Sequence, residues 1–359
     1  MKKLTSLFAA TALLLTAAGC GTQNTASSGG QSASPDTSPA QASETADSEY
    51  YIFDLSENVV RTPVTYANRY GIELSGDLYT PKTLDESQTY PALVIGPPYG
   101  GVKEQGSGVW ANELSQRGFV VLTFDPSFNG ESGGEPRHVS SPDIFTEDFS
   151  AGVDYLGSLP YVDREQIGAI GICGSGGFAL SAAQVDTRIK AVATASLVDI
   201  SGNYAGLTPE ERTALLERLS AQRWTDFANG EPEYIPSYPE EPTADIPEGL
   251  DPMSAEFYSF YATERGFHPR ARANFTTTSE SAFANYSLLA HLDTLSPRPV
   301  LLLAGENAMS RGLSELVYAQ LGENGELSIV AGANHVDLYD DVSKIPFDQV
   351  ETFFKNALL

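Results

Sequence analysis

Residues 171–177 read Gly171-Ile172-Cys173-Gly174-Ser175-Gly176-Gly177, directly after the apolar run that starts at Ile167 and ahead of a helix-compatible stretch near 174 to 185. A strand that turns sharply into a helix through small residues has the form of a nucleophile elbow: the nucleophile sits on a strained turn, and small residues two positions to either side let the backbones approach. With Cys173 as the nucleophile the flanks are Gly171 and Ser175; with Ser175 they are Cys173 and Gly177, a bulkier fit. Cys173 is therefore the favoured nucleophile, the plain alternative being a buried cysteine beside a glycine-rich helix start. The Gly174 N–H would then face a developing oxyanion, and the helix N-terminus would lower the thiol pKa. A phosphate loop is excluded because no lysine follows the glycines.

Outward from this turn, short apolar runs alternate with helical patterns. The runs are Ala92 to Gly96, Phe119 to Phe124, Ile167 to Ile172, Ile189 to Thr194, Pro299 to Ala304 and Leu327 to Ala331. Helix-compatible stretches lie near 104 to 117, 143 to 158, 174 to 185, 311 to 321 and 346 to 358. Continuous apolar strands alternating with helices mark a parallel sheet covered on both faces. Strand-like segments at Tyr50 to Leu55, Val59 to Tyr66 and Ile72 to Tyr79 precede them and add a mixed edge. The expected class is α/β, a mostly parallel sheet of about eight strands.

The alternation stops between Val198 and about Ser296. Thr208-Pro209-Glu210-Glu211 predicts a capping box with proline at the first helical position and a helix of roughly four turns. Pro232, Pro236, Pro239, Pro242, Pro247 and Pro252 then forbid regular structure over about twenty residues. Residues 199–296 read as an insertion before the penultimate strand, a lid over the carboxyl ends of the strands or else a separate solvated module. They divide the core into 49–198 and 297–359.

A nucleophile needs a base. Of the four histidines, His335 alone follows the last strand, the position of the base in a nucleophile, acid, histidine order. The orienting acid is expected after the strand Pro299 to Ala304, where Ala308 stands in the usual place of an aspartate; Glu306 is the nearest carboxylate and Glu315 the second. A second oxyanion donor should come from Pro97-Pro98-Tyr99-Gly100-Gly101, with Tyr99 or Gly100 supplying the N–H.

Composition narrows the function classes. Forty-seven acidic against 21 basic side chains give a net charge of −26, which excludes a general nucleic-acid binder. A 41% hydrophobic content excludes disorder for the bulk of the chain. Two cysteines are too few for a disulfide framework or a four-thiolate zinc site. The first, Cys20, follows Lys2, Lys3, an apolar stretch from Leu4 to Ala18, and Gly19. This has the shape of a secretory signal, and the Ser- and Ala-rich residues after it read as a flexible tether.

The segments Tyr99 to Gln105, Phe124 to Gly134, Gly171 to Gly177 and Ala333 to Tyr339 together resemble the α/β-hydrolase superfamily, in particular bacterial dienelactone hydrolases, over about residues 50 to 198 and 297 to 359. The resemblance implies the α/β-hydrolase fold and a cysteine nucleophile with histidine and acid, matched by Cys173 and His335. The acid position and the long insertion depart from the pattern. The N-terminus resembles a bacterial lipoprotein signal, which implies cleavage after residue 19, acylation of Cys20, a tether over 20–48 and a place on the extracytoplasmic face of the cell membrane; the alternative is a secreted protein with a free cysteine.

Together these point to hydrolysis of a carboxylic ester or lactone through an acyl-cysteine, with no metal or cofactor required. The acidic surface favours a small neutral substrate over a phosphorylated or CoA-linked one. Thioesters and acyl peptides suit the same constellation. The rivals from other classes are a binding lipoprotein that kept the fold without turnover and a structural envelope protein.

Overall fold

A computed structural model describes residues 50–359. The signal, Cys20 and the tether lie outside the described residues. Eight strands form one sheet in the order β1-β2-β4-β3-β5-β6-β7-β8. They are β1 (Val59–Ala67), β2 (Glu73–Pro81), β3 (Tyr90–Gly96), β4 (Val120–Phe124), β5 (Val162–Ile172), β6 (Ala191–Ala195), β7 (Val300–Gly305) and β8 (Gly325–Val330). The pairs β1–β2 and β2–β4 are antiparallel and the rest parallel, the mixed edge expected from the sequence.

Burial follows from this order. Strands β4, β6 and β7 are buried at every residue, so they read as almost wholly apolar runs, whereas β1, at an edge, alternates. Successive residues of a strand face opposite sides. Thus Val94, Leu122 and Leu302 join one core and Leu93, Val121 and Leu301 the other. Helices α2 (Pro142–Ser158), α3 (Ser175–Val185) and α8 (Arg311–Leu321) cover the first face, and α1 (Gly106–Ser115) and α10 (Phe347–Leu358) the second.

Residues 50–55 form no strand, contrary to the sequence reading. Their aromatic side chains dock singly instead: Tyr51 Oη donates to Asp77 (2.7 Å), Arg61 lies over the Tyr51 ring, and Phe53 packs near Tyr79.

Between β6 and β7 run the short α4 (Gly202–Ala205), α5 (Pro209–Asn229), α6 (Pro252–Tyr261) and the short α7 (Glu280–Phe283); α9 (Asp337–Asp340) follows β8. The capping box is formed, with Glu211 N donating to Thr208 Oγ1 (3.2 Å) and Thr208 N to Glu211 Oε2 (2.9 Å). Helix α5 is longer than expected, 21 residues, because nothing breaks its pattern before Gly230 closes it in the left-handed conformation at φ 77°. The proline-rich stretch between α5 and α6 has no helix or extended strand, as its composition dictates.

Candidate active site

The strand order reverses between β3 and β5: β4 lies to one side of β3, and the chain then returns to the other side. Loops leaving the carboxyl ends of two such strands diverge and open a crevice. The loop after β3 carries Tyr99, and the turn after β5 carries Cys173.

Cys173 has φ 55°, a left-handed conformation that costs a non-glycine residue energy. Surrounding bonds hold it there. Cys173 N donates to Ala195 O (2.8 Å), and Cys173 O accepts from Gly176 N (2.9 Å) and Val198 N (3.0 Å). The turn is tight enough that a Cβ on Gly171 would lie 2.1 Å from the Ser175 carbonyl oxygen, and one on Gly174 2.7 Å from Tyr99 Cβ. A side chain is excluded at Gly171, as the elbow reading required, and at Gly174 as well. Ser175, the alternative nucleophile, donates its hydroxyl to Pro97 O and is buried.

The backbone N–H groups of Gly174 and Tyr99 both point at the Cys173 sulfur. Of the two loop candidates, it is therefore Tyr99 rather than Gly100 that reaches the thiol. Its ring is locked by Phe275 (centroids 4.3 Å apart) and by a hydrogen bond to Ser140 Oγ (2.7 Å), which fixes the N–H in turn. Burial pushes the Cys173 thiol up, against the lowering effects of Tyr339 and the two N–H groups. This corrects the expectation of a lowered thiol pKa: desolvation of the thiolate outweighs the donors and the helix end.

His335, in the loop after β8, is fully buried. Its Nδ1 lies 2.8 Å from Ser310 Oγ, its Nε2 lies 2.9 Å from Tyr339 Oη, and Phe257 packs edge-on 5.3 Å from the ring. Burial alone lowers its pKa to about 3, so the imidazole is neutral at pH 7.

No carboxylate orients this ring among the described residues, and the assignment of Glu306 is corrected on this point. Glu306 is exposed and accepts from Gly332 N (2.8 Å), tying the loop after β7 to the loop after β8. Glu315 pairs with Arg311 (2.8 Å) on the outer face of α8. The loop from Glu306 turns back at buried Ala308 and brings Ser310, at the start of α8, under Nδ1. Sequence reasoning missed Ser310 because it searched this loop for carboxylates. It also missed Tyr339, although His335 and Tyr339 stand four apart, the spacing that places side chains on one face of a helical turn.

Residues from the β6–β7 segment wall the thiol. Tyr238 and Tyr261 stack (5.2 Å, 17°), and both lie near enough to Cys173 for its charge to act on their hydroxyls. The segment is tied to the core by Arg265 on Asp340 (2.7 Å) and by Val336 N on Glu256 Oε1 (2.9 Å). Cys173 is left 5% exposed. A cavity of about 10 Å³, room for a single water, lies beside Tyr99, Ser175 and Phe178.

Beneath the Tyr99 loop lies a buried ionic network. Lys103 Nζ contacts Glu104 (2.7 Å), Glu131 (2.6 Å) and Asp125 (3.5 Å), and Arg270 reaches Glu104 (2.6 Å) and Glu131 (3.1 Å). Glu104, Asp125 and Glu131 are close enough together to hold a cation, and the Lys103 ammonium is set among them.

A cysteine on a strained strand-to-helix turn, two converging N–H groups and a histidine after the last strand, on an eight-stranded mostly parallel sheet, define an α/β hydrolase. The chain carries a dienelactone hydrolase family domain, the family profile matching residues 74–196. It is 49% identical over 314 residues to the uncharacterized protein PA2218 of Pseudomonas aeruginosa, covering 85% of this chain and 83% of that one. The crystal structure of PA2218 superposes with a TM-score of 0.82, covering 89% of this chain and all of that one. That of the α/β hydrolase GrgF from Penicillium superposes at 0.68 with 27% identity, over 83% of this chain and 99% of that one. The thiohydrolase aneE of Aspergillus aculeatus is 29% identical over 65% of this chain and 72% of its own length.

Proposed function

We propose that this α/β hydrolase cleaves a carboxylic ester or lactone through an acyl-cysteine on Cys173. The observation that carries the reading is the convergence of the Tyr99 and Gly174 N–H groups on a thiol held at φ 55°. Such donors stabilise the charge that develops on a carbonyl oxygen during attack, and they need no reorganisation to do so. His335 accepts the thiol proton; the sulfur bonds to the acyl carbon; the oxyanion rests on the two N–H groups and collapses with loss of the alcohol. Water, deprotonated by His335, then cleaves the thioester. A charged thiolate–imidazolium pair would be poorly solvated in this closed site, so the resting pair is neutral and charge forms only as substrate reacts.

The similarity to a thiohydrolase favours one second reading, a thioester substrate for the same steps. The stacked Tyr238 and Tyr261 over the thiol support the β6–β7 segment as a lid that must part to admit substrate. The abundance of acidic over basic residues supports a neutral substrate. A panel of short esters, lactones and thioesters with wild type and Cys173→Ala tests the reading: turnover of at least one class is expected, with loss of about a thousandfold or more in the variant. Equal rates in the two proteins remove Cys173 from the chemistry, and no turnover of any class favours a binding protein.

The signal-like N-terminus supports attachment to the cell membrane by a lipid on Cys20. Mass spectrometry of the membrane fraction should find an N-terminal, acylated Cys20; an unmodified thiol there rules the anchor out.

A further inference from the structure

We propose that Tyr339 is a catalytic residue, its hydroxyl carrying the proton between the Cys173 thiol and His335. The inference rests on the acyl-cysteine reading and deepens it. Both nitrogens of the imidazole are engaged, Nδ1 with Ser310 Oγ and Nε2 with Tyr339 Oη. The sulfur in turn meets Tyr339 Oη and the N–H groups of Gly174 and Tyr99, and His335 is not among its partners. Thiol and base therefore communicate through one hydroxyl.

One arrangement of protons makes a continuous relay from thiol to imidazole. With Nδ1–H donating to Ser310, Nε2 accepts from the Tyr339 O–H, and the Tyr339 oxygen accepts from the thiol S–H. In the acylation step the thiol proton moves to the Tyr339 oxygen while the Tyr339 proton moves to Nε2. The sulfur lone pair forms the bond to the acyl carbon, and the carbonyl π pair becomes the oxyanion. When the oxyanion collapses, the bond to the leaving oxygen breaks, and the proton held at Nε2 returns by the same route to give the alcohol. Tyr339 ends with the proton count it began with. This suits a fully buried phenol whose ionisation is strongly opposed by its surroundings.

The hydroxyl is held in place rather than mobile. The Tyr339 ring is fully buried and packs edge-on against Phe260 at 5.1 Å. Its backbone is fixed on both sides, by the Tyr339 N bond to Val336 O (3.0 Å) and the Trp110 Nε1 bond to Leu338 O (3.0 Å). Gly106 lies so close that a Cβ there would come within 3.1 Å of the Tyr339 carbonyl oxygen.

The test is pre-steady-state acylation of the full chain by an activated ester, read as acyl group on Cys173, in wild type and Tyr339→Phe and in mixtures of light and heavy water. The expected results are a bowl-shaped dependence of the wild-type rate on deuterium fraction, from two protons moving together, and acylation slowed about a hundredfold or more in a variant with an unchanged melting temperature. A linear dependence in wild type, or a variant acylated at the wild-type rate, overturns the relay and leaves the acyl-cysteine standing. Absence of any acyl-cysteine in wild type overturns the underlying reading and the relay with it. Should Tyr339→Phe fail to fold, the deuterium dependence of the wild type decides alone.

Discussion

At the scale of single residues, the site is unusual in what holds the histidine. A hydroxyl from Ser310 holds the orientation of His335, but it brings no negative charge to favour the imidazolium. A carboxylate at that depth would itself need compensation, and the neutral Ser310 avoids this. The consequence is a base that is neutral at rest, pushed down to about 3 by burial, next to a thiol pushed up by the same cause. Ser310→Ala leaves the buried Nδ1 of His335 without a partner, a loss of about 1–3 kcal/mol. Expressed in the transition state, this lowers kcat about tenfold to a hundredfold. Glu306→Gln should change kcat less than about twofold, because exposed Glu306 caps only a loop N–H. Steady-state kinetics of the two variants decide between them, and the reverse ranking contradicts the assignment of Ser310.

At the scale of elements, the site depends on loops that the core pins from below. The Tyr99 loop runs directly into Lys103 and Glu104, whose side chains are 3% and 4% exposed and interlock with Asp125, Glu131 and Arg270. These partners come from the loop after β4 and from the β6–β7 segment, so one network joins three parts of the chain beside the Tyr99 loop. Removing its central cation leaves the fully buried Asp125 without an ion pair and Glu104 and Glu131 with Arg270 alone. Lys103→Met should therefore cost about 3–5 kcal/mol, read as a lowered urea midpoint; an unchanged midpoint would show the network to be dispensable. Most strands were legible in the sequence because a strand buried on both faces must be mostly apolar; β7 is so throughout, and β4 and β6 depart only at Thr123 and Thr194. Residues 50–55 misled because aromatic side chains favour strands and isolated docking equally. The order of β3 and β4 and the length of α5 depend on tertiary packing and on the one glycine that ends the helix. Within the site, Cys173, Gly174, Tyr99 and His335 were marked by local motifs or by chain order. Ser310 and Tyr339 were not, because a serine and a tyrosine carry no signal of chemistry until folding places their hydroxyls on the two nitrogens of one ring.

At the scale of the whole molecule, the sheet places every site loop at the carboxyl ends of its parallel strands, and Tyr238 and Tyr261 of the β6–β7 segment pack beside the thiol. The closed arrangement explains why the thiol and the imidazole are both neutral: each has lost water and gained only uncharged partners. It leaves the Tyr339 hydroxyl and the two N–H donors as the groups that favour the thiolate. The central claim is that this closed cleft makes and breaks an acyl bond at Cys173. The most direct measurement is rapid acid quench of the full chain during turnover of an activated ester, followed by intact-mass analysis and peptide mapping. The account predicts an acyl adduct on the peptide containing Cys173, forming no slower than product is released and absent in Cys173→Ala. Turnover with no adduct at Cys173, or with the acyl group on another residue, would contradict it.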